Sequence, residues 1–335
     1  MNADRRAFLR GTVAAAAATA AAAAAAQEPW GPPTNALTDP RMPFWPAAER
    51  FALWPGAAPG APKTKIAPDW TMNGTSKYRE LWVAGIQTPE VHVFRAPRSD
   101  GSALLSIPGG GYRFLSVQNE GLDVAEHFNA DRTTVFVLTH RLPGEGWANR
   151  ATAPLADAQR AMRLIRHRAK DFHVDPDRLG VMGFSAGGHL AADLAVAHAE
   201  RTYTPVDAAD RLSARPAYLG LIYAVTSLLD VRGDGKPWDG LAGPGASEDV
   251  LRARSPVLHV TKDTPPTFLV QAMNDPTVLA FHSFRWIQAL SSLGVATEGH
   301  FLSEGGHGFG LHLPKEQSGS QWPDMFSQWL RKHGG

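Results

Sequence analysis

Arg178-Leu179-Gly180-Val181-Met182-Gly183-Phe184-Ser185-Ala186-Gly187-Gly188-His189-Leu190 reads as a short apolar strand, a tight turn and the start of an Ala-rich helix. The turn, Gly183 to Gly187, has the form G-x-S-x-G. A serine on so sharp a strand-to-helix turn needs small neighbours, because side chains at Gly183 and Gly187 would collide with the adjoining strand and helix. The turn lifts the Ser185 hydroxyl above the sheet. It also puts the Ala186 N–H at a helix start, where that donor has no intrahelical partner. The pattern alone is a weak signal, since small residues recur by chance. Its context is what gives it weight: Leu179, Val181 and Phe184 precede it, and a helical run from Ala186 to Ala199 follows. A glycine-rich turn without chemistry is the plain alternative.

Strand and helix signals alternate on both sides of this turn. Val91, Val93 and Phe94 mark a strand. Ala103-Leu104-Leu105-Ser106-Ile107 and Val135-Phe136-Val137-Leu138 are continuous apolar runs, as expected of strands covered on both faces. Residues 120–129 suit a helix. Residues 155–172 form a strong amphipathic pattern, with Leu155, Ala158, Met162 and Ile165 on one stripe. Arg160, Arg163, Arg166 and Lys170 lie largely opposite and are expected to face solvent. Further strands are expected at 218–223, 267–272 and 296–302, with helices at about 278–293 and 323–332. Residues 226–264 break the rhythm with Gly, Pro and charge. They read as an insertion on the carboxyl side of the sheet and a candidate partial lid. The alternation implies an α/β protein with a mostly parallel sheet and helices on both faces.

The chain has 335 residues, enough to bury a sizeable core. Its formal net charge is +1 and no basic stripe stands out, so nucleic acid is not an expected partner. It has no cysteine, which excludes disulfides, thiolate metal sites and a Cys nucleophile. Asp4-Arg5-Arg6-Ala7-Phe8-Leu9-Arg10, the Ala-rich run to Ala26 and the A-x-A pattern at Ala24-Ala25-Ala26 read as a twin-arginine signal peptide over residues 1–26. That segment carries three Arg and one Asp, a charge of +2, which leaves the remainder near −1. A periplasmic or secreted location is therefore expected. No other stretch is long and apolar enough to span a bilayer, and no membrane anchor is expected. Residues 27–70, rich in Pro, Gly and Trp, read as an extended arm on the surface of a catalytic domain at 71–335. The tryptophans of the arm are expected to be packing anchors.

A serine hydroxyl is a poor nucleophile until a base takes its proton, and the base is usually a histidine oriented by a carboxylate. The order expected after such a turn is serine, acid, histidine. Met273-Asn274-Asp275-Pro276 places Asp275 just past the carboxyl end of an expected strand, where function collects in an open α/β sheet. Glu304-Gly305-Gly306-His307-Gly308-Phe309 follows the last expected strand, and its glycines let His307 fold back over the sheet. Asp175 and Asp177 precede a strand and so lie on the wrong edge. Asp230, Asp234, Asp239 and Asp263 fall in the insertion, where capping roles are commoner. His189 follows Ser185 by four residues; it is placed to touch a pocket but too close in the chain to be the base.

Attack on an ester carbonyl creates an oxyanion that needs fixed donors about 3 Å away. Ile107-Pro108-Gly109-Gly110-Gly111-Tyr112 ends a buried strand, and its glycines expose backbone N–H groups. Gly110 and Gly111, with Ala186 from the turn, are the expected oxyanion donors. A phosphate loop is disfavoured, because the Lys and Ser/Thr of a P-loop and the spacing G-x-G-x-x-G are missing. Tyr112, Trp147 and Trp238 lie in loops expected near the site, where aromatic faces suit a sugar ring. Structural packing is an equally good reading of each. Glu120-Gly121 suits ordering of the loop after the glycine run, although a charge at a helix N-terminus is the simpler account.

Taken together, Pro108-Gly109-Gly110-Gly111-Tyr112, Arg141-Leu142-Pro143, Asp157-Ala158-Gln159-Arg160-Ala161, Gly183-Phe184-Ser185-Ala186-Gly187-Gly188-His189-Leu190 and Gly306-His307-Gly308 resemble the acetyl-xylan-esterase-like branch of the α/β-hydrolases. The resemblance covers roughly residues 50–333. It implies an α/β-hydrolase fold with a mostly parallel eight-stranded sheet. It also implies a serine carboxylesterase that cleaves short acyl esters, acetyl above all, on carbohydrate. No metal or organic cofactor is implied. Two positions depart from the family pattern. His140 stands where relatives tend to carry Tyr, and Asn274-Asp275 offers one acid where relatives often show two. Some members of the family carry the label xylanase, but no pair of carboxylates flanking a glycosidic bond is evident here. The rival readings are a lipase or peptidase on the same scaffold, and a carbohydrate-binding homologue that has kept the fold but not the reaction.

Overall fold

A computed structural model describes residues 33–74, 79–236 and 238–333. The expected leader at 1–26, and residues 27–32 of the arm, lie outside the described residues. Among those described, eight strands form one sheet. They are β2 (Arg50–Ala52), β5 (Glu90–Phe94), β6 (Ala103–Ile107), β7 (Thr134–Thr139), β8 (Leu179–Phe184), β9 (Leu219–Ile222), β10 (Thr267–Ala272) and β11 (Thr297–Leu302). Their order across the sheet is β11-β10-β9-β8-β6-β7-β5-β2. From β7 through β11 every pairing is parallel, while β5 runs antiparallel to both β7 and β2. The apolar runs occupy the middle, and every residue of β6, β7, β8 and β10 is buried.

Helices α1 (Asp123–Ala130), α2 (Ala153–His167), α3 (Ser185–Ala197), α4 (Asp239–Ala242), α5 (Glu248–Ala253), α6 (Phe281–Ser292) and α7 (Trp322–His333) follow in chain order. One face of the sheet packs against α2, α3 and α6 through residues such as Leu155, Leu190 and Trp286. The other packs against α1 and α7 through Val124, Phe128, Trp322 and Phe326. Each such side chain, fully removed from water, is worth about 1.5–3 kcal/mol. The two glycines of the serine turn are dictated by space. A Cβ at Gly183 would lie 2.2 Å from the Gly187 carbonyl oxygen, and one at Gly187 would lie 2.1 Å from that of Ile107.

Three features differ from the sequence expectation. A second, antiparallel sheet of β1 (Thr34–Asn35), β3 (Asp69–Gly74) and β4 (Arg79–Ala84) precedes the α/β alternation. The long amphipathic pattern breaks after His167, and a separate turn of helix covers Ala169–Phe172. The basic side of α2 is not a solvated face. Arg160 is 1% exposed, donating to the Leu53 carbonyl and pairing with Asp207 and Asp210. Arg166 donates to the carbonyls of Pro176, Ser213 and Arg215.

Asp157, in the second turn of α2, explains two of the sequence motifs at once. Its carboxylate accepts from the Arg141 backbone N–H at 2.8 Å, from Arg141 Nε at 2.9 Å and from the indole of Trp54 at 2.8 Å. The Arg141 guanidinium also donates to the carbonyls of Pro59 and Ala153. The arm is thus stitched to the loop after β7 and to α2. Arg141 and Asp157 are both essentially buried, so loss of one leaves an uncompensated charge in the interior. Asp157→Ala is expected to cost about 3–5 kcal/mol of folding stability, read from urea unfolding. A loss below about 1 kcal/mol would mean that water reaches the pair freely.

Candidate active site

Four chain segments end at the same edge of the sheet, because the strands that carry them run parallel. Ser185 follows β8, the glycine loop 109–111 follows β6, Asp275 follows β10 and His307 follows β11. Ser185 sits at the first position of α3 with φ of +50°, a left-handed conformation that is costly for a residue with a Cβ. Its Oγ lies 2.9 Å from His307 Nε2, and His307 Nδ1 lies 2.8 Å from Asp275 Oδ2.

The protonation pattern of this line follows from its acceptors. Asp275 Oδ1 accepts the backbone N–H groups of Thr277 at 2.8 Å and Val278 at 2.9 Å. Its carboxylate is buried and offers only acceptors, so the ring hydrogen of His307 sits on Nδ1. Nε2 then carries a lone pair and accepts from the Ser185 hydroxyl. Asn274, the other residue of the Asn274-Asp275 pair, tethers the histidine loop, its Oδ1 accepting the Gly306 N–H at 2.9 Å.

Gly110 and Gly111 have φ of +132° and +63°, and they line a cavity of about 330 Å³ together with Ser185 and His307. Glu80, Trp82, Phe114 and Trp238 form much of the remaining wall. Trp82 and Phe114 stack with ring centroids 3.9 Å apart. Glu80 accepts from the Trp82 indole at 2.6 Å and from Ser116 Oγ at 3.1 Å, and burial raises its pKa. A second, much smaller cavity of about 20 Å³ opens between Gly111 and Ala186. Its walls include Tyr112, His189, Leu228, Trp238 and Leu241.

The three aromatic residues expected near the site fare differently. Trp238 lines both cavities. Tyr112 borders the small one, but its hydroxyl is engaged 2.7 Å from His189 Nδ1. Burial lowers the His189 pKa to about 4, so the ring is neutral. Its Nε2 lies 2.8 Å from the Arg254 carbonyl and therefore holds the hydrogen, which leaves Nδ1 to accept from Tyr112. Trp147 is a correction: it is 4% exposed, packs on the Arg141 guanidinium and lines neither cavity, lying in the same apolar cluster as Leu53, Trp54 and Ala58 of the arm. His140 is likewise buried, and its ring meets that of Tyr112 edge-on.

Glu80 and Trp82 were not among the residues expected from the sequence. Leu81-Trp82-Val83-Ala84 is a continuous apolar run without alternation, and it is the fold that buries Leu81 and Val83 while Glu80 and Trp82 line the cavity. The insertion at 226–264 contributes Trp238, and its Asp239 forms an exposed ion pair at 2.7 Å with Arg113, two residues past the glycine loop.

The fold and this site together define an α/β-hydrolase. The sequence pattern of the BD-FAE family matches residues 95–290, more than half of the chain, and the protein belongs to that family. The match includes Ser185 and Asp275; His307 follows it. An acetylxylan esterase of Xylanibacter ruminicola is 29% identical over 224 residues, which is 65% of this chain and 43% of that protein. An endo-1,4-beta-xylanase B of Butyrivibrio fibrisolvens is 30% identical over 225 residues, 65% of this chain and 34% of that one. The chain thus spans less than half the length of either relative. Among solved structures, an acetyl ester-xyloside bifunctional hydrolase from Caldicellulosiruptor lactoaceticus superposes with a TM-score of 0.70 at 28% identity. That likeness covers 86% of this chain and 97% of the other.

Proposed function

We propose that the protein is a serine carboxylesterase that removes short acyl groups, acetyl first, from carbohydrate. The observation that carries the reading is the hydrogen-bonded line from Ser185 through His307 to Asp275 beside an open cavity. Ser185 attacks the acyl carbon while His307 Nε2 takes its proton. The imidazolium that forms is stabilised by the Asp275 carboxylate. The backbone N–H groups of Gly110, Gly111 and Ala186 hold the oxyanion. His307 returns the proton to the departing alcohol, and water then releases the acid by the same route.

The two cavities suggest how the substrate divides. The small one, beside Gly111 and Ala186, is where the acyl tail would lie. Its 20 Å³ is little more than the ~10–15 Å³ that admits one water molecule, which suits a methyl group. The larger one offers aromatic faces to a sugar leaving group. The names of the acetylxylan esterase and acetyl ester-xyloside hydrolase relatives agree with that assignment. The Arg5-Arg6 pair and the Ala-rich run after it support export of the folded enzyme by the twin-arginine route.

A panel of acetylated xylan, acetylated monosaccharides, feruloyl esters and nitrophenyl esters of graded length tests this reading. One misfitting methylene is worth roughly 10–200-fold in discrimination, so kcat/KM for nitrophenyl acetate is expected to exceed that for the octanoate by on the order of 100-fold or more. Equal rates on the two esters would reject the short-acyl assignment and favour a lipase.

A further inference from the structure

Glu120 has no part in the mechanism above, yet it is one of the most thoroughly buried carboxyl groups in the protein. It is 4% exposed and lies in a π-helical turn, Gln118–Leu122, between the glycine loop and α1. The turn itself is held firmly. The Glu120 carbonyl accepts Ser106 Oγ of β6 at 2.7 Å, and the Glu120 N–H donates to the Ser116 carbonyl at 3.1 Å.

The two carboxyl oxygens reach in different directions. Oε2 accepts the backbone N–H of Gly109 at 2.5 Å, immediately before the expected oxyanion donors. Oε1 accepts the hydroxyl of Tyr223 at 2.8 Å. The Tyr223 oxygen in turn accepts the N–H of Gly310 at 3.0 Å, three residues beyond His307. The Tyr223 ring meets His307 edge-on, with centroids 5.1 Å apart. Tyr223 follows β9 with φ of +39°, a conformation that persists only where its surroundings enforce it. The neighbouring Asn119 donates from Nδ2 to the Gly308 carbonyl at 3.0 Å. One turn of chain therefore grips the histidine loop just beyond His307, and the glycine loop as well.

We propose that Glu120 is a positioning residue: through Gly109 on one side and Tyr223 and Gly310 on the other, it joins the oxyanion loop and the histidine loop into a single frame around Ser185. This rests on the esterase reading. The chemistry suits that role. A carboxyl group brings one oxygen to each of two donors arriving from two directions, and when neutral its hydroxyl oxygen keeps a lone pair for one of them. A full negative charge so close to the developing oxyanion would oppose catalysis. Burial counters this by raising the Glu120 pKa to about 8, so that the group is mostly uncharged at neutral pH. The hydrogen bonds from Gly109 and from Tyr223, at the end of β9, favour the charged form but do not outweigh burial, and the charge of Glu80 on β4 adds to the upward push.

The test is steady-state kinetics on nitrophenyl acetate between about pH 5 and 10 for wild type, Glu120→Gln, Tyr223→Phe, the double variant and Glu120→Ala, with thermal melts of each. Glu120→Gln keeps the shape and is neutral at every pH, but it puts an N–H₂ group, which cannot accept, in place of one of the two oxygens that meet Gly109 and Tyr223. It is expected to lower kcat about tenfold with KM within about twofold, because oxyanion donors act in the transition state. The double variant should be hardly worse than the poorer single one, as for two members of one network. Wild-type kcat should fall above about pH 8 as Glu120 ionises, and that descending limb should vanish in Glu120→Gln. A trifluoromethyl ketone, which forms an oxyanion at the site, should lose affinity in step with kcat/KM. Wild-type kcat in Glu120→Gln and Tyr223→Phe would overturn the inference. So would additive losses, an unchanged descending limb, or losses that track only the folded fraction. If Glu120→Ala does not fold, the two conservative variants still decide the matter. An inactive wild type would instead sink the esterase reading itself.

Discussion

Ser185→Ala is expected to lower kcat for nitrophenyl acetate by about 10⁵–10⁶-fold. The substitution removes the hydroxyl that stands within hydrogen-bond reach of His307 Nε2, at 2.9 Å, and leaves a methyl group that cannot form an acyl-enzyme. What remains is turnover by water in a site that still binds the ester and still presents the N–H groups of Gly110, Gly111 and Ala186. Such residual catalysis is on the order of 10³–10⁴-fold over bulk water in enzymes of this type. The fold should be indifferent. The turn is fixed by Gly183, Gly187 and the strands they touch, and Ala carries the same Cβ at φ of +50° that Ser does. A thermal melt within a degree or two of wild type, with the initial rate lost, is the expected pair of readings. Retained turnover would move the nucleophile elsewhere.

Asp275→Asn is the second large effect, about 10⁴-fold in kcat near neutral pH. The argument is one of hydrogen-bond capacity. Asp275 Oδ1 is engaged by the N–H groups of Thr277 and Val278, and Oδ2 accepts from His307 Nδ1. An asparagine has one oxygen, and the two backbone donors claim it. Its amide N–H₂ then faces His307 Nδ1, which must accept. The ring hydrogen moves to Nε2, where it faces Ser185 Oγ, and the imidazole is no longer a base at that position. Burial and backbone geometry hardly change, so the melt should stay near that of wild type while the rate collapses. A loss below about tenfold would mean that the orientation of His307 does not depend on the carboxylate.

The features legible in the sequence were those whose cause is local. Leu179–Phe184 and Ser185–Ala197 could be recognised because a strand, a glycine-flanked turn and an Ala-rich helix each obey short-range sterics. Asp275 and His307 could be placed because parallel strands deliver their following loops to one edge. What escaped depended on distant partners. Arg160 looked like part of a solvated face, but its partners Asp207 and Asp210 stand some fifty residues on and cannot be paired with it by periodicity. Trp147 shared the composition of a binding aromatic and turned out to pack on Arg141, away from both cavities. Glu80 and Trp82 come from a strand of a small separate sheet that lies against the glycine loop, with Val83 and Leu115 exchanging backbone hydrogen bonds. Glu120 had the sequence signature of a charge near a helix start, and only its burial and its two opposed donors reveal a different role.

The whole reading depends on Ser185 being an activated nucleophile. Treatment with a fluorophosphonate, followed by peptide mass spectrometry to locate the adduct, tests that most directly. The expected result is a single phosphonyl group on the peptide that contains Ser185, absent from Ser185→Ala and formed far more slowly in His307→Ala. A protein that remains unlabelled, or that carries the adduct on another residue, would contradict it.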